Sequence, residues 1–346
     1  MLYFIGIGIS GYGSLPLYSI NIIKKSRFVY LEQFTSPINV ITINNIKKLS
    51  PNVILTKRWF IEDGNEILEQ AKHDNVTILT YGDPYIATTH YDLRIRANKE
   101  KIITKTIHAS SSITAIVGEC GLHYYKIGRV ATITNELKMM MTPYNVIYKN
   151  MIENNHSVLL LEFNHEKNFF LDPKIALKNL LKIEKVHKTN IINESTYAIV
   201  ASRVGLDNQN IIAGKISNLL KIDFNEPPHT IIIIGNLHFT EYDAIKNLLI
   251  CVDPPQSNSD KIQTTTERLL NKYVPKLNIV SKQLKLHYNE KKLLNIIENA
   301  ESYAKDAENF FSDGHNEIAM LSIGYAEGLI DALIAIHNNA KLKRFD

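Results

Sequence analysis

The sequence has few cysteines, and this scarcity excludes two kinds of site. Only Cys120 and Cys251 are present among 346 residues, and they lie far apart along the chain. Two distant thiols provide neither a disulfide framework nor a cysteine metal site. No metal is therefore expected, and the cysteine usage fits a reducing compartment such as the cytoplasm.

Charge of one sign and long apolar runs are also scarce. The formal net charge is only +4, and the lysines are scattered, so no basic cluster indicates direct nucleic-acid binding. The aliphatic run at residues 231–234 is far shorter than the roughly 20 residues needed to cross a bilayer. The first charged residue is Lys24, and without a charged leader neither export nor a membrane is expected.

What is present is the composition of a globular protein, with 45% hydrophobic and 21% charged residues. In the first part of the chain, short β-rich segments alternate with helical patterns, which predicts an α/β fold with a parallel sheet. We expect strands at residues 2–8, 27–32, 76–80, 101–107 and 129–134, with a helix at 65–72. These elements define a predicted first domain at residues 1–136.

A second α/β block is predicted at residues 137–252, with strands at 157–163, 196–202 and 230–235 and a helix after Pro173. Proline, serine, asparagine and aspartate are concentrated at residues 253–260, which favours a linker region over 253–285.

A helical hairpin is predicted at residues 286–346, with a break at Asp313-Gly314. The apolar face of its first helix is predicted to contain Leu294, Ile297, Ala300, Ala304, Ala307 and Phe311. The face of its second helix is predicted to contain Ile318, Leu321, Tyr325, Leu329, Ala332 and Ile336. Two helices alone bury little surface, so we expect them to dock on the body of the protein or on another chain.

The N-terminus contains a G-x-G-x-x-G pattern at Gly6, Gly8 and Gly11, directly after a predicted strand. Glu32 follows at about the distance of a ribose-binding acid in a dinucleotide fold. This spacing leaves an NAD-dependent oxidoreductase as one alternative. Pro16 disfavours it, because proline in a first turn predicts a helix start near Leu15, later than the dinucleotide fingerprint requires.

The segment YGDPYIATTH, from Tyr81 to His90, follows the predicted strand at 76–80. Ligands of open α/β sheets bind at the carboxyl ends of the strands. Gly82, Asp83 and Pro84 alone would indicate only an ordinary turn.

Four segments in order resemble the diphthine synthases, a branch of the tetrapyrrole methylases. They are MLYFIGIGI at the N-terminus, YGDPYIATTHYDLRIRA from Tyr81, IHASSSITAIVGECGLHYYKIGR from Ile107 and EPPHTIIIIGNLHFTEYD from Glu226. The resemblance covers residues 1–252, and ATTH with GLHYYKIGR separates this branch from its relatives. The tail, with YAEGLIDAL from Tyr325, resembles a small archaeal helical domain of unknown function, for which an oligomerising or stabilising role is favoured over substrate recruitment.

The resemblance implies a two-domain α/β fold, a homodimer, and S-adenosylmethionine bound in a cleft between the domains. The implied cofactor contacts are Ile9, Asp83, Ile86, Ser112, Ile113, Leu161, Val204 and His229. The chain departs from the family pattern in two places. Ser10 to Ser14 lacks the acidic residue usual after the first glycine pair, and the HASSSI segment is one residue longer than in relatives.

The implied substrate is a 3-amino-3-carboxypropyl group on a histidine of translation elongation factor 2, methylated on its amine. Such a transfer needs alignment and desolvation of the reactants, and neither a metal nor a nucleophilic side chain. The amine must be uncharged, but no proton acceptor is identified: His90, Tyr91 and Tyr124 are candidates that are more often structural. Tetrapyrrole C-methylation is the alternative within the same chemistry, and a non-catalytic scaffold is an alternative from another class.

Overall fold

The computed structural model describes residues 1–258 and 262–336. The described residues form two compact units, a first unit up to residue 258 and a second unit from residue 262. The first unit contains two α/β lobes and the second is helical, which confirms the predicted fold class. Residues 259–261 of the predicted linker and 337–346 of the predicted tail lie outside the described residues.

The first lobe is built on a sheet of five parallel strands. These are β1 (Leu2–Gly6), β2 (Phe28–Glu32), β3 (Val53–Thr56), β4 (Val76–Thr80) and β5 (Thr104–Ile107). Its helices are α1 (Leu17–Lys25), α2 (Val40–Leu49), α3 (Arg58–Asp63), α4 (Asn65–His73), α5 (His90–Lys99) and α6 (Ser112–Glu119). The strand order is β3-β2-β4-β1-β5, so the carboxyl ends of β1 and β4 lie side by side. Every residue of β4 is buried, as expected for a parallel strand covered on both faces.

The second lobe has a mixed sheet of six strands and a small hairpin. Its strands are β6 (Ala131–Ile133), β7 (Ser157–Leu161), β8 (Phe163–Asn164), β9 (Phe169–Phe170), β10 (Tyr197–Ser202), β11 (Asn210–Lys215), β12 (His229–Ile233) and β13 (Ile250–Cys251). Its helices are α7 (Met141–Ile152), α8 (Pro173–His187), α9 (Ile216–Leu219) and α10 (Phe239–Leu248). The sheet order is β13-β11-β10-β12-β7-β6, and β8 pairs with β9.

Local sequence explains where α8 begins. Pro173 occupies the first turn, and the Asp172 carboxylate accepts hydrogen bonds from the N–H groups of Lys174 and Ile175. Aspartate before proline is a favourable helix start, because the cap satisfies free N–H groups and proline lacks one. The helix predicted after Pro173 is therefore confirmed.

The described part of the second unit, residues 262–336, contains three helices, α11 (Thr265–His287), α12 (Lys291–Ser312) and α13 (Asn316–Ile336). The prediction of a linker over 253–285 is wrong from Thr265 onward, and the predicted hairpin is two of three packed helices. Apolar residues recur in α11 at Leu270, Val274, Leu277 and Leu284, all buried in the helical core. Pro275 lies inside this helix and obscures its pattern in the sequence, since proline is rare in helix interiors.

The buried face of α13 differs from the predicted one. The helix buries Ala319, Ile323, Ala326, Ile330 and Leu333, whereas the predicted residues Leu321 and Tyr325 are 61% and 59% exposed. The side chain of Ile336 lies outside the described residues. Apolar residues lie on all sides of α13, so two different faces of the helix have the three- and four-residue spacing expected of a buried face.

By length and composition alone, Asn316–Ala335 is apolar enough to span a bilayer, and a third of the window is buried in the structure. Core helices of globular proteins pass the same test.

Candidate functional site

The loops that follow β1 and β4 are joined at the carboxyl edge of the first sheet. The N–H of Gly8 donates to the carbonyl of Gly82 at 3.2 Å, and the N–H of Gly82 donates to the carbonyl of Gly8 at 3.0 Å. A Cβ on Gly6 would lie only 2.4 Å from the Gly82 carbonyl oxygen. The glycines therefore allow the two loops to touch, and this contact fixes the position of Asp83.

One cavity between the two lobes of the first unit brings together most of the residues predicted to bind a cofactor. It is lined by seven of the eight, namely Asp83, Ile86, Ser112, Ile113, Leu161, Val204 and His229. The first four follow strands of the first lobe, and the last three belong to the second lobe. Residues remote in sequence thus form one mixed apolar and polar surface, which is typical of small-molecule sites.

Ile9 lies in an adjoining cavity, with Gly11, Pro37 and Thr42. Tyr81 lines both cavities, and its hydroxyl donates to the carbonyl of Ile9 at 2.9 Å. Burial raises the pKa of Tyr81 to about 12, so this hydroxyl stays protonated at neutral pH. Ile9 is therefore linked to the main cavity through Tyr81 and does not line it directly.

Asp83 places a carboxylate at the cavity wall although only 7% of the residue is exposed. One oxygen accepts from the N–H of Tyr85 at 3.0 Å, and the other lies 2.7 Å from Nδ1 of His108. A carboxylate can accept about four hydrogen bonds, so acceptor capacity remains for a ligand hydroxyl or ammonium group.

His229 contributes an uncharged ring to the opposite wall. Its Nδ1 lies 2.8 Å from the hydroxyl of Ser202. Burial lowers the pKa of His229 to about 4, and Asp172 offsets only part of this effect. The imidazole is therefore neutral at physiological pH and presents a polar group without a charge.

The HASSSI segment forms the start of α6. Ser111 caps the helix, and its side chain accepts from the N–H of Ile113 at 3.3 Å. Ser112 is the first helical residue. Both Ser112 and Ile113 then face the cavity.

Glu32, the predicted ribose ligand of the dinucleotide alternative, has a different role. It is fully buried, and one oxygen accepts from the N–H groups of Phe34 and Thr35 at 3.0 Å each. Its other oxygen lies 3.4 Å from the N–H of Tyr81. Glu32 therefore holds loop backbone in place, and α1 begins only at Leu17, with Pro16 as its cap. The dinucleotide interpretation is wrong.

A second cavity of about 730 Å³ adjoins the first, and sequence reasoning did not find it. The two share Thr35, Ala87, Leu160, Leu161 and Phe163. The rest of its lining includes charged and aromatic residues, namely Lys57, Arg58, Trp59, Glu62, Glu162 and Glu166. The available signal was the triplet Lys57-Arg58-Trp59 directly after β3, which is another carboxyl end of the sheet.

The candidate proton acceptors lie apart from these walls. His90 is 1% exposed, its Nδ1 lies 3.0 Å from the Pro84 carbonyl, and its Nε2 has no hydrogen-bond partner among the described residues. Tyr91 and Tyr124 are 58% and 62% exposed. Within the described part of the chain, no group of three or more His, Cys, Asp or Glu side chains is placed to hold a metal ion.

The sequence matches two known families. Residues 1–220 match the family described as Tetrapyrrole (Corrin/Porphyrin) Methylases. Residues 267–338, which include most of the helical unit, match a family described as a protein of unknown function, DUF357.

Similar proteins match most of this chain over nearly the whole of their own length. The chain is 37% identical over 254 residues to a diphthine synthase of Methanocaldococcus jannaschii, which covers 72% of this chain and 98% of that protein. It is 35% identical over 252 residues to a diphthine synthase of Methanococcus vannielii, with the same shares. A crystal structure of a diphthine synthase superimposes with a TM-score of 0.65 at 27% identity, covering 72% of this chain and 96% of the other. The chain is thus a methyltransferase that belongs to the tetrapyrrole methylase family and groups with the diphthine synthases.

Proposed function

We propose that the protein uses S-adenosylmethionine to methylate the amine of a 3-amino-3-carboxypropyl-histidine on translation elongation factor 2. The convergence of seven sequence-predicted residues on one cavity carries this proposal. The relatives named diphthine synthase support the substrate, and they match across 98% of their length.

The residues of the cavity suit the proposed cofactor chemically. Ile86, Ile113, Leu161 and Val204 provide apolar contacts for a purine ring and a methylene chain. Asp83 provides acceptors for ribose hydroxyls or an ammonium group. S-adenosylmethionine would supply a methyl group on a sulfonium centre that is already activated for displacement.

The chain itself has to align and desolvate the acceptor amine. In the transfer, the nitrogen lone pair forms the new N–C bond while the C–S bond breaks and its electron pair stays on sulfur, and the methylated nitrogen then releases a proton. Only an uncharged amine has that lone pair, and an α-amino group has a pKa of roughly 8 in water. The apolar residues Ala87, Leu160, Leu161 and Phe163, shared by the two cavities, favour the uncharged form by desolvation.

The test is a transfer assay with methyl-labelled S-adenosylmethionine. We expect label on elongation factor 2 that carries the aminocarboxypropyl histidine and none on the same factor with an unmodified histidine. Absence of label on the modified factor would refute the proposal. A parallel titration should show binding of S-adenosylhomocysteine and no comparable binding of NADH.

The proposed assembly is a homodimer in a reducing cytoplasm. Both cysteines are free, which is consistent with that compartment. Light scattering at assay concentrations measures the assembly, and a mass of one chain would contradict the dimer.

A further inference from the structure

The cavity of about 730 Å³ next to the proposed cofactor cavity is lined by Arg58, which has no acidic partner among the described residues. We propose that Arg58 binds the carboxylate of the acceptor's aminocarboxypropyl group. This assignment rests on the proposed function. It adds the residue that selects an acceptor with a free carboxylate.

The guanidinium of Arg58 is available for a ligand. Its carbon lies 5.2 Å from the centre of the Phe34 ring, and among the described residues no carboxylate lies within ion-pair distance of it. The neighbouring Lys57 is already paired, with its Nζ 3.3 Å from a carboxylate oxygen of Glu166. Of Lys57 and Arg58, Arg58 is therefore the one without an ion-pair partner among the described residues.

The backbone beneath Arg58 is hydrogen-bonded to a buried carboxylate. Phe34 lies under the guanidinium, and its backbone N–H donates to the fully buried Glu32 at 3.0 Å. The same carboxylate oxygen holds Thr35, which lines both cavities. The buried carboxylate of Glu32 thus positions both Phe34, which contacts the Arg58 guanidinium, and Thr35, which lines both cavities.

The lining residues fall into two groups that match an amino-acid head group. The group outside the cofactor cavity contains Arg58 and three carboxylates, of which Glu166 pairs with Lys57 and Glu162 accepts from the N–H of Asn135. The residues shared with the cofactor cavity are apolar apart from Thr35. A carboxylate is stabilised by the planar guanidinium, which can donate two parallel hydrogen bonds. An amine at the apolar boundary is favoured in its reactive, uncharged form. A substrate group with an amine and a carboxylate on the same carbon can therefore place the carboxylate at Arg58 and the amine beside the apolar residues in only one orientation.

The test compares Arg58→Gln, Arg58→Lys and the wild type, with Arg27→Gln as matched control. Arg27 is also an exposed arginine beside a phenylalanine ring, at 5.5 Å from Phe28, but it pairs with Asp74 at the amino ends of the strands. For Arg58→Gln we expect KM for the modified elongation factor 2 to rise about 10- to 100-fold, because a hydrogen bond to a charged group is lost. The kcat and the dissociation constant of S-adenosylhomocysteine should stay within about twofold, and Arg58→Lys should recover part of the loss.

A second readout tests for the carboxylate itself. The probes are 2-amino-4-(imidazol-2-yl)butanoic acid and its methyl ester, measured as competitors of the modified factor. Wild type and Arg27→Gln should prefer the acid by about tenfold or more, and Arg58→Gln should lose this preference.

An unchanged KM in Arg58→Gln would overturn the assignment while leaving the proposed function intact. A raised KM with the acid preference retained would also overturn it, since Arg58 would then act on structure. If the wild type methylates no modified factor, the proposed function fails and this inference fails with it.

Discussion

At the scale of the residue, Asp83 combines burial with unused acceptor capacity at the cavity wall. We expect Asp83→Asn to raise the dissociation constant of S-adenosylhomocysteine about tenfold or more, since hydrogen bonds to charged groups contribute about 1.5–3 kcal/mol. Isothermal titration calorimetry measures this change. Asp74→Asn is the control, because Asp74 pairs with Arg27 away from the cavity. Equal affinity in Asp83→Asn and wild type would remove Asp83 from the cofactor site.

His229 predicts a pH dependence of stability. Its folded pKa of about 4 lies below the ordinary value of 6.5, so between these values the unfolded chain binds more protons than the folded one. Stability therefore falls as pH falls from 6.5 towards 4. Between pH 7 and pH 5 the free energy of unfolding should fall by about 1 kcal/mol less in His229→Gln than in the wild type. This figure allows for the partial exposure of the His229 side chain.

Urea denaturation at the two pH values measures this difference. The control is His73→Gln, because the His73 side chain is 75% exposed. An equal loss of stability in His229→Gln and wild type would contradict the account of His229.

Individual residues were predictable where the sequence carried a family pattern. The segments around Asp83, Ser112 and His229 led to five of the seven predicted residues of one cavity, although no local pattern relates the two lobes. Arg58 was missed because it belongs to no such segment and its relevance depends on the placement of Phe34. Sequence position alone left a ribose-binding role for Glu32 open as an alternative, because a buried carboxylate that accepts from three backbone N–H groups can stand at the same position.

At the scale of the element, the strength of the hydrophobic pattern decided what could be predicted. β4 has the predicted bounds because five consecutive buried residues follow a polar turn. β3 was missed, since it lies at the sheet edge with Ile54 and Leu55 exposed and shows no alternation. β11 was also missed, because its short buried run ends at Gly214 and could belong to either a strand or a helix.

The corrected face of α13 leads to a prediction about stability. Ile330 is 3% exposed in the helical core, whereas Leu321 is 61% exposed. We expect Ile330→Ala to lower the free energy of unfolding of the helical unit by about 2–5 kcal/mol. Leu321→Ala should change it by less than about 0.5 kcal/mol.

Hydrogen exchange of the amides in α11, α12 and α13 measures both effects without requiring the whole chain to unfold. A larger loss of protection in Leu321→Ala than in Ile330→Ala would show that α13 buries the face predicted from the sequence, which contains Leu321.

At the scale of the whole molecule, the predicted chemistry belongs to the first unit. The diphthine synthase relatives match 252–254 residues of this chain and are covered over 98% of their own length. A chain of residues 1–258 should therefore fold and methylate the modified factor with kcat and KM within about threefold of the full chain. Steady-state kinetics on the two purified proteins measure this. A truncated chain that folds, binds S-adenosylhomocysteine and transfers no methyl group would place an essential part of the site in the helical unit.

The central claim is methyl transfer to one amine on one protein, and locating the methyl group tests it most directly. Modified elongation factor 2 is incubated with S-adenosylmethionine and the wild-type protein, digested, and sequenced by tandem mass spectrometry. We expect methylation on the amine of the aminocarboxypropyl histidine, with little at the same position when Asp83→Asn replaces the wild type at limiting cofactor. Methyl groups found only on other residues, or on no residue of the factor, would contradict it.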